Sequence, residues 1–77
     1  MSILAAIVIC ANTVPIQACN EDVADTVLFG PSVYQQQFQC QFEAQAYAAE
    51  QGLVQPGQIV KIYCGPKDQI RARFGTI

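Results

Sequence analysis

The sequence predicts a small single-domain α+β protein, with one central helix on a short sheet of two or three strands, stapled by disulfides and followed by an extended C-terminal arm. Three observations predict it. Four cysteines and no histidine occur in 77 residues, two runs rich in Ile and Val flank a stretch of good helix formers, and Gly-Pro or Pro-Gly pairs punctuate the joins. Residues 1–66 are expected to form the stapled domain and residues 67–77 the basic arm.

A domain this short buries only about 60% of the surface its unfolded chain exposes, so its core alone is marginal. Cys10, Cys19, Cys40 and Cys64 contain no C-x-x-C pair, which argues against a zinc clip or dithiol exchange and for a disulfide framework in an oxidising compartment. The composition points to packing against other surfaces, because apolar residues make up 52% and charged residues only 13%. Residues 1–60 carry five acids and no base, whereas residues 61–77 carry four bases against Asp68 alone. A net charge of −2 argues against nucleic acid as a partner.

Ile3 to Cys10 reads as a strand covered on both faces, since the seven apolar residues Ile3–Ile9 and then Cys10 run unbroken to Ala11-Asn12-Thr13. The run is too short to cross a membrane as a helix, which takes about 20 apolar residues. A cleaved signal over Met1–Ala18 is the alternative, although the basic segment that opens such signals is missing and Pro15 interrupts the approach to the cut. Cleavage there would leave Cys19 first, as in a lipoprotein, but Ile16-Gln17-Ala18 fits a lipobox poorly. Asn20 to Asp25 is an acidic turn. Thr26 to Phe29 is a short β-prone run closed by Gly30-Pro31.

Ser32 and Gln35 have the spacing of a capping box, so a helix is expected from about residue 33 to Gln51, ended by Gly52 in the left-handed conformation with Leu53 packing back. At 100° per residue this helix has two apolar faces. Cys40, Ala44, Tyr47 and Ala48 share one, and Phe38, Phe42, Ala46 and Ala49 share the other. The second face is expected to meet the terminal segments or a partner chain. Gln55-Pro56-Gly57-Gln58 has the residues of a type II turn. It launches a strand over Ile59–Cys64, with Val60, Ile62 and Cys64 on one face and Ile59, Lys61 and Tyr63 on the other. After Gly65-Pro66, Ile70, Ala72 and Phe74 alternate with Arg71 and Arg73, which reads as an extended arm that adds an edge strand to a neighbour.

If strand 23–29, helix 33–51 and strand 58–64 form a right-handed β-α-β crossover, Cys64 returns to the level of Cys40, favouring Cys40–Cys64 and leaving Cys10–Cys19. Cys19–Cys40 with Cys10–Cys64 stays open as the rival pairing, as do four reduced thiols. Without histidine, Ser–His and Cys–His nucleophiles are excluded within the chain. Glu43 and Glu50 lie two helical turns apart and read as a solvated stripe. Glu21, Asp22 and Asp25 lack the spacing of a calcium loop, and no glycine-rich phosphate cradle is visible. A non-enzymatic role without cofactor or metal is expected.

The constellation Cys40-x3-Ala44-Gln45-Ala46-Tyr47-Ala48-Ala49-Glu50 with Val60-Lys61-Ile62-Tyr63-Cys64, preceded by Ile9-Cys10 and Cys19, resembles small cysteine-containing proteins of tailed bacteriophages and prophages. The resemblance spans residues 3–65 and carries no activity. What it implies is a virion or phage-accessory role, and together with the two-faced helix and the arm this gives the expectation of a structural subunit of a virion, such as a capsid decoration or tail-associated protein. Its expected partners are other protein subunits, including copies of itself, met through Phe38, Phe42, Ala46 and Ala49 on the helix and Arg71, Arg73 and Phe74 on the arm. A small secreted or periplasmic binding or inhibitor module is the alternative function.

Overall fold

The computed structural model describes residues 2–75 and has three strands and two helices. These are β1 (Ile3–Ala11), a 3₁₀ turn (Ile16–Ala18), β2 (Thr26–Tyr34), α1 (Gln37–Glu50), β3 (Gln58–Pro66) and α2 (Lys67–Phe74). The strand order is β2-β1-β3, with both outer strands antiparallel to β1. The expected α+β class with helix α1 on a small sheet is what forms. β2 and β3 are parallel to each other, as a crossover requires, but β1 lies between them.

The continuous apolar run of β1 is explained by its central place. Ile3, Ala5, Ile7 and Ile9 face a core closed by Cys40, Ala44 and Ala48 of α1. Leu4, Ala6, Val8 and Cys10 face a second core closed by Cys19, Ile70 and Phe74. A strand buried on both sides has no polar face to show, so alternation disappears. The disulfides are Cys10–Cys19 and Cys40–Cys64, with Cα–Cα separations of 6.0 and 6.3 Å. One bridge serves each face of the sheet.

Two local expectations are corrected. β2 does not close at Gly30-Pro31. Leu4 and Ala6 pair with Val33 and Phe29, so Gly30, Pro31 and Ser32 all lie opposite Ala5, and pairing resumes to Ile3↔Tyr34. This bulge takes up a proline, which has no N–H to give the ladder. Because pairing holds the chain extended to Tyr34, Ser32 sits in β2 and forms no capping box. α1 starts at Gln37 instead, and its N-cap residue Gln36 makes no side-chain capping bond.

The second correction concerns the extended arm, since residues 67–74 are helix α2. Ile70 and Phe74 stand four apart, a spacing that satisfies a strand and a helix alike, whereas Ala72 decides between them by being exposed. Lys67 N–H donates to Ser2 C=O at 3.0 Å, and Gly75 N–H closes the helix on Arg71 C=O at 2.9 Å. Burying Ile70 and Phe74 stabilises the docked helix by roughly 1.5–3 kcal/mol each. Thr76 and Ile77, the end of the expected arm, lie outside the described residues.

The joins follow expectation. Gly52 has φ 61°, and Gly52 N–H and Leu53 N–H donate to Ala49 and Ala48 C=O, the paired bonds of a Schellman cap. Leu53 packs back on the core beside α1. At the turn before β3, Gly57 has φ 86° and Gln58 N–H donates to Gln55 C=O at 3.0 Å, as a type II turn demands.

Candidate docking surface

The inner face of α1 is built from small residues four apart. Cys40, Ala44 and Ala48 are buried, so the helix lies close to the sheet, and the Cys40–Cys64 bridge joins it to β3. Gln37 and Gln41, one turn apart on α1, donate through their Nε2 atoms to Cys64 C=O at 2.8 Å and Ile62 C=O at 3.3 Å. This docking fixes the orientation of everything else on the helix.

The outer face is thereby turned to solvent. Phe38 and Phe42 are each 72% exposed, one helical turn apart, and Ala49 is exposed on the same helix. Ala46 is half-buried and borders a cleft of about 380 Å³ with Tyr34, Glu43, Tyr47, Glu50 and the Pro31-Ser32 bulge. Among the described residues α2 does not cover the phenylalanines, because it packs on the opposite face of the sheet. Two large aromatic side chains are thus exposed one helical turn apart on the outer face of α1.

The three arm residues separate. Phe74 is 8% exposed and stacks on Tyr63 with ring centroids 5.2 Å apart, so it is a core residue and not a contact residue. Arg73 donates through Nε to Glu21 Oε2 at 2.7 Å and through a terminal nitrogen to Oε1 at 3.2 Å, and its guanidinium lies over the Tyr63 and Phe74 rings. That pairing holds the Glu21 carboxyl below its ordinary range and raises the Arg73 guanidinium. Arg71 is exposed, on the far side of the sheet from Phe38.

The acidic loop serves internal contacts. Glu21 holds Arg73, Asp25 accepts from Gln58 Nε2 at 3.2 Å, and Asn20 Oδ1 accepts from Asp22 N–H. Among the described residues no group of three His, Cys, Asp or Glu side chains is placed to hold a metal ion, and all four cysteines are bridged. No described helix is long and apolar enough to cross a membrane. Sequence reading missed the Glu21–Arg73 pair and the Tyr63 O–H bond to Cys19 C=O at 2.9 Å. Both join residues more than forty positions apart, and no local pattern signals them. It also missed the exposed apolar side chains Phe29 and Val33 on β2, which the β-prone run and its continuation past Pro31 would have indicated.

Comparison with known proteins finds no matching family model, no similar curated protein and no similar solved structure.

Proposed function

We propose that this protein is a non-enzymatic structural subunit that docks on neighbouring protein subunits, copies of itself first, through the outer face of α1. The exposed Phe38–Phe42 pair carries the reading. Truncating aromatic anchors on such a face removes most of the binding energy, because large, rigid side chains dominate interfaces. The oxidised state of both bridges suits a particle or compartment outside the reducing cytosol. The particle put forward is a virion, on the strength of the sequence resemblance alone.

Sedimentation of the oxidised protein over a range of concentrations tests this. Association is expected for the native chain, together with its loss in a Phe38→Ala/Phe42→Ala double variant that keeps the native thermal transition. A native chain that sediments as a monomer throughout overturns the reading. Mass spectrometry of purified particles tests the virion assignment separately, and absence of the chain from them removes that part.

A secreted or periplasmic binding module is the second reading, favoured by the same two bridges. In the form that removes Met1–Ala18 it would have to do without β1 and the Cys10 half of one bridge.

A further inference from the structure

The two edges of the sheet are treated differently. In an antiparallel ladder, residues whose N–H and C=O groups meet the partner alternate with residues whose groups point away. Lys67 N–H to Ser2 C=O and Asn12 N–H to Gly57 C=O bracket the β1–β3 ladder and fix its phase. Even-numbered β1 residues therefore bond β3, and odd-numbered ones bond β2, as the acceptance of Asp25 N–H by Ile9 C=O agrees. The phase directs Ile62 and Cys64 of β3 outward, where Gln37 and Gln41 occupy their carbonyls. That edge is therefore partly capped from within the chain, at two of its carbonyls.

The same phase directs the backbone groups of Val27, Phe29 and Val33 outward on β2. Among the described residues, no bond outside the β1–β2 ladder uses them. β2 holds no charged residue, and so lacks the lysine or inward charge with which proteins guard an open edge. Beside it is a groove of about 260 Å³ lined by Leu4, Phe29, Pro31 and Val33, with Arg71 of α2 also on its wall. Among the described residues Arg71 makes no ion pair, whereas Arg73 has Glu21.

We propose that the β2 edge takes up an extended peptide strand, which pairs with Val27 and Phe29, seats one apolar side chain in the groove and sets a carboxylate on Arg71. The open backbone supplies hydrogen bonds, the groove selects side-chain type, and Arg71 selects charge, which is the division of labour in strand addition. A second β2 fits the site less well. It carries no acid, and Asp25 beside it is already turned to Gln58. This site is on a different part of the molecule from the Phe38–Phe42 face and stands or falls independently of it.

Fluorescence anisotropy with defined probes tests the proposal. The probes are a labelled hexapeptide Thr-Val-Thr-Val-Thr-Leu with a free C-terminal carboxylate, its C-terminal amide, and the amide with Glu in place of the last Thr. The two acidic forms distinguish a terminal from a side-chain carboxylate. Binding of at least one of them, tenfold or more tighter than the neutral amide, is expected. Arg71→Gln should erase that preference at an unchanged melting temperature, and Arg71→Lys should keep part of it. Of the two alternate sets of peptide nitrogens, methylating the set that faces β2 should abolish binding and methylating the other should spare it, and the Phe38→Ala/Phe42→Ala variant should bind as the native chain does. Equal affinity for acidic and neutral peptides, survival of binding with both methylated sets, absence of binding, or occupation of the edge by self-pairing would each overturn it.

Discussion

The two faces of β1 are covered by different means. On one, a 14-residue helix lies on the sheet through small side chains and is bridged to it by Cys40–Cys64. On the other, a loop and an 8-residue helix share the cover, and Cys10–Cys19 fastens the loop while α2 has no bridge of its own. Small residues permit close approach but bury little apolar area each, so a cross-link there supplements a weak contact. α2 is shorter than the 12–15 residues at which isolated helices become even marginal in water. It is held by two large side chains, Ile70 and Phe74, and by the Arg73–Glu21 pair. Each face of the strand thus has one bridge, which fastens α1 on one side and the loop on the other, and α2 is the covering element held by noncovalent contacts.

The largest expected effect comes from opening the staples one at a time. The sequence separations are 24 for Cys40–Cys64 and 9 for Cys10–Cys19, and chain entropy alone assigns them roughly 3.5 and roughly 2.5 kcal/mol. Denaturant unfolding of the paired Cys→Ser variants should rank them in that order. If the Cys10/Cys19 variant proves the weaker, the loop side depends on its bridge more than the helix side does, and the comparison is reversed.

Side-chain truncation should sharpen the contrast next. Phe74→Ala is expected to cost about 3 kcal/mol, in the range for a buried aromatic, and to raise amide exchange in α2 before α1. Phe38→Ala on the other helix should change monomer stability by less than about 0.5 kcal/mol, since that side chain is exposed. A large loss at Phe38 in a monomeric sample would show that the outer face of α1 supports the fold itself.

The smallest effect is electrostatic and confined to the α2 side. Arg73 holds the Glu21 carboxyl below its ordinary range in the folded state. The contribution is therefore complete above the unfolded-state carboxyl pKa and fades as pH falls through the lower folded value. The pair is partly solvent-exposed, so the effect is small and screened by salt. Melting curves of the native chain and Glu21→Gln should differ slightly at neutral pH and converge in acid. A gap that persists after the native Glu21 is protonated would mean that Glu21 acts through packing instead of charge.

Much of the architecture was legible because it is written in short-range pattern. Ile3–Cys10 announces a strand with both sides covered, Gly52 and Pro56-Gly57 mark two turns by backbone chemistry, and alternation over Ile59–Cys64 sorts that strand's faces correctly. The cysteine pairing was favoured over a rival left open by setting a helix position against a strand end, a geometric relation that survives even though β1 intervenes between the two strands. The outer face of α1 could be foreseen too, since Phe38 and Phe42 share a helical side that Cys40 and Ala44 do not. Other features were beyond local reading. Ser32 and Gln35 satisfy a capping rule that cross-strand pairing to Ile3 and Leu4 overrides, and Phe74 was assigned to a partner because its true neighbours, Tyr63 and the even-numbered side of β1, are distant in sequence.

By itself, the amino-acid order determined the central strand, the long helix and the last strand, their turns, the need for staples and the presence of an apolar helix face beyond what one sheet covers. These follow from side-chain periodicity, glycine and proline stereochemistry and the small size of the core, all of which act over a few residues or over composition as a whole. Only the tertiary structure decided that the last described segment is a helix, that its phenylalanine is interior, that Arg73 is committed to Glu21, and that α1 takes up two carbonyls of one sheet edge while the other edge is open. Those outcomes depend on which strand lies in the middle, and strand order is set by the sum of contacts between residues far apart in the chain.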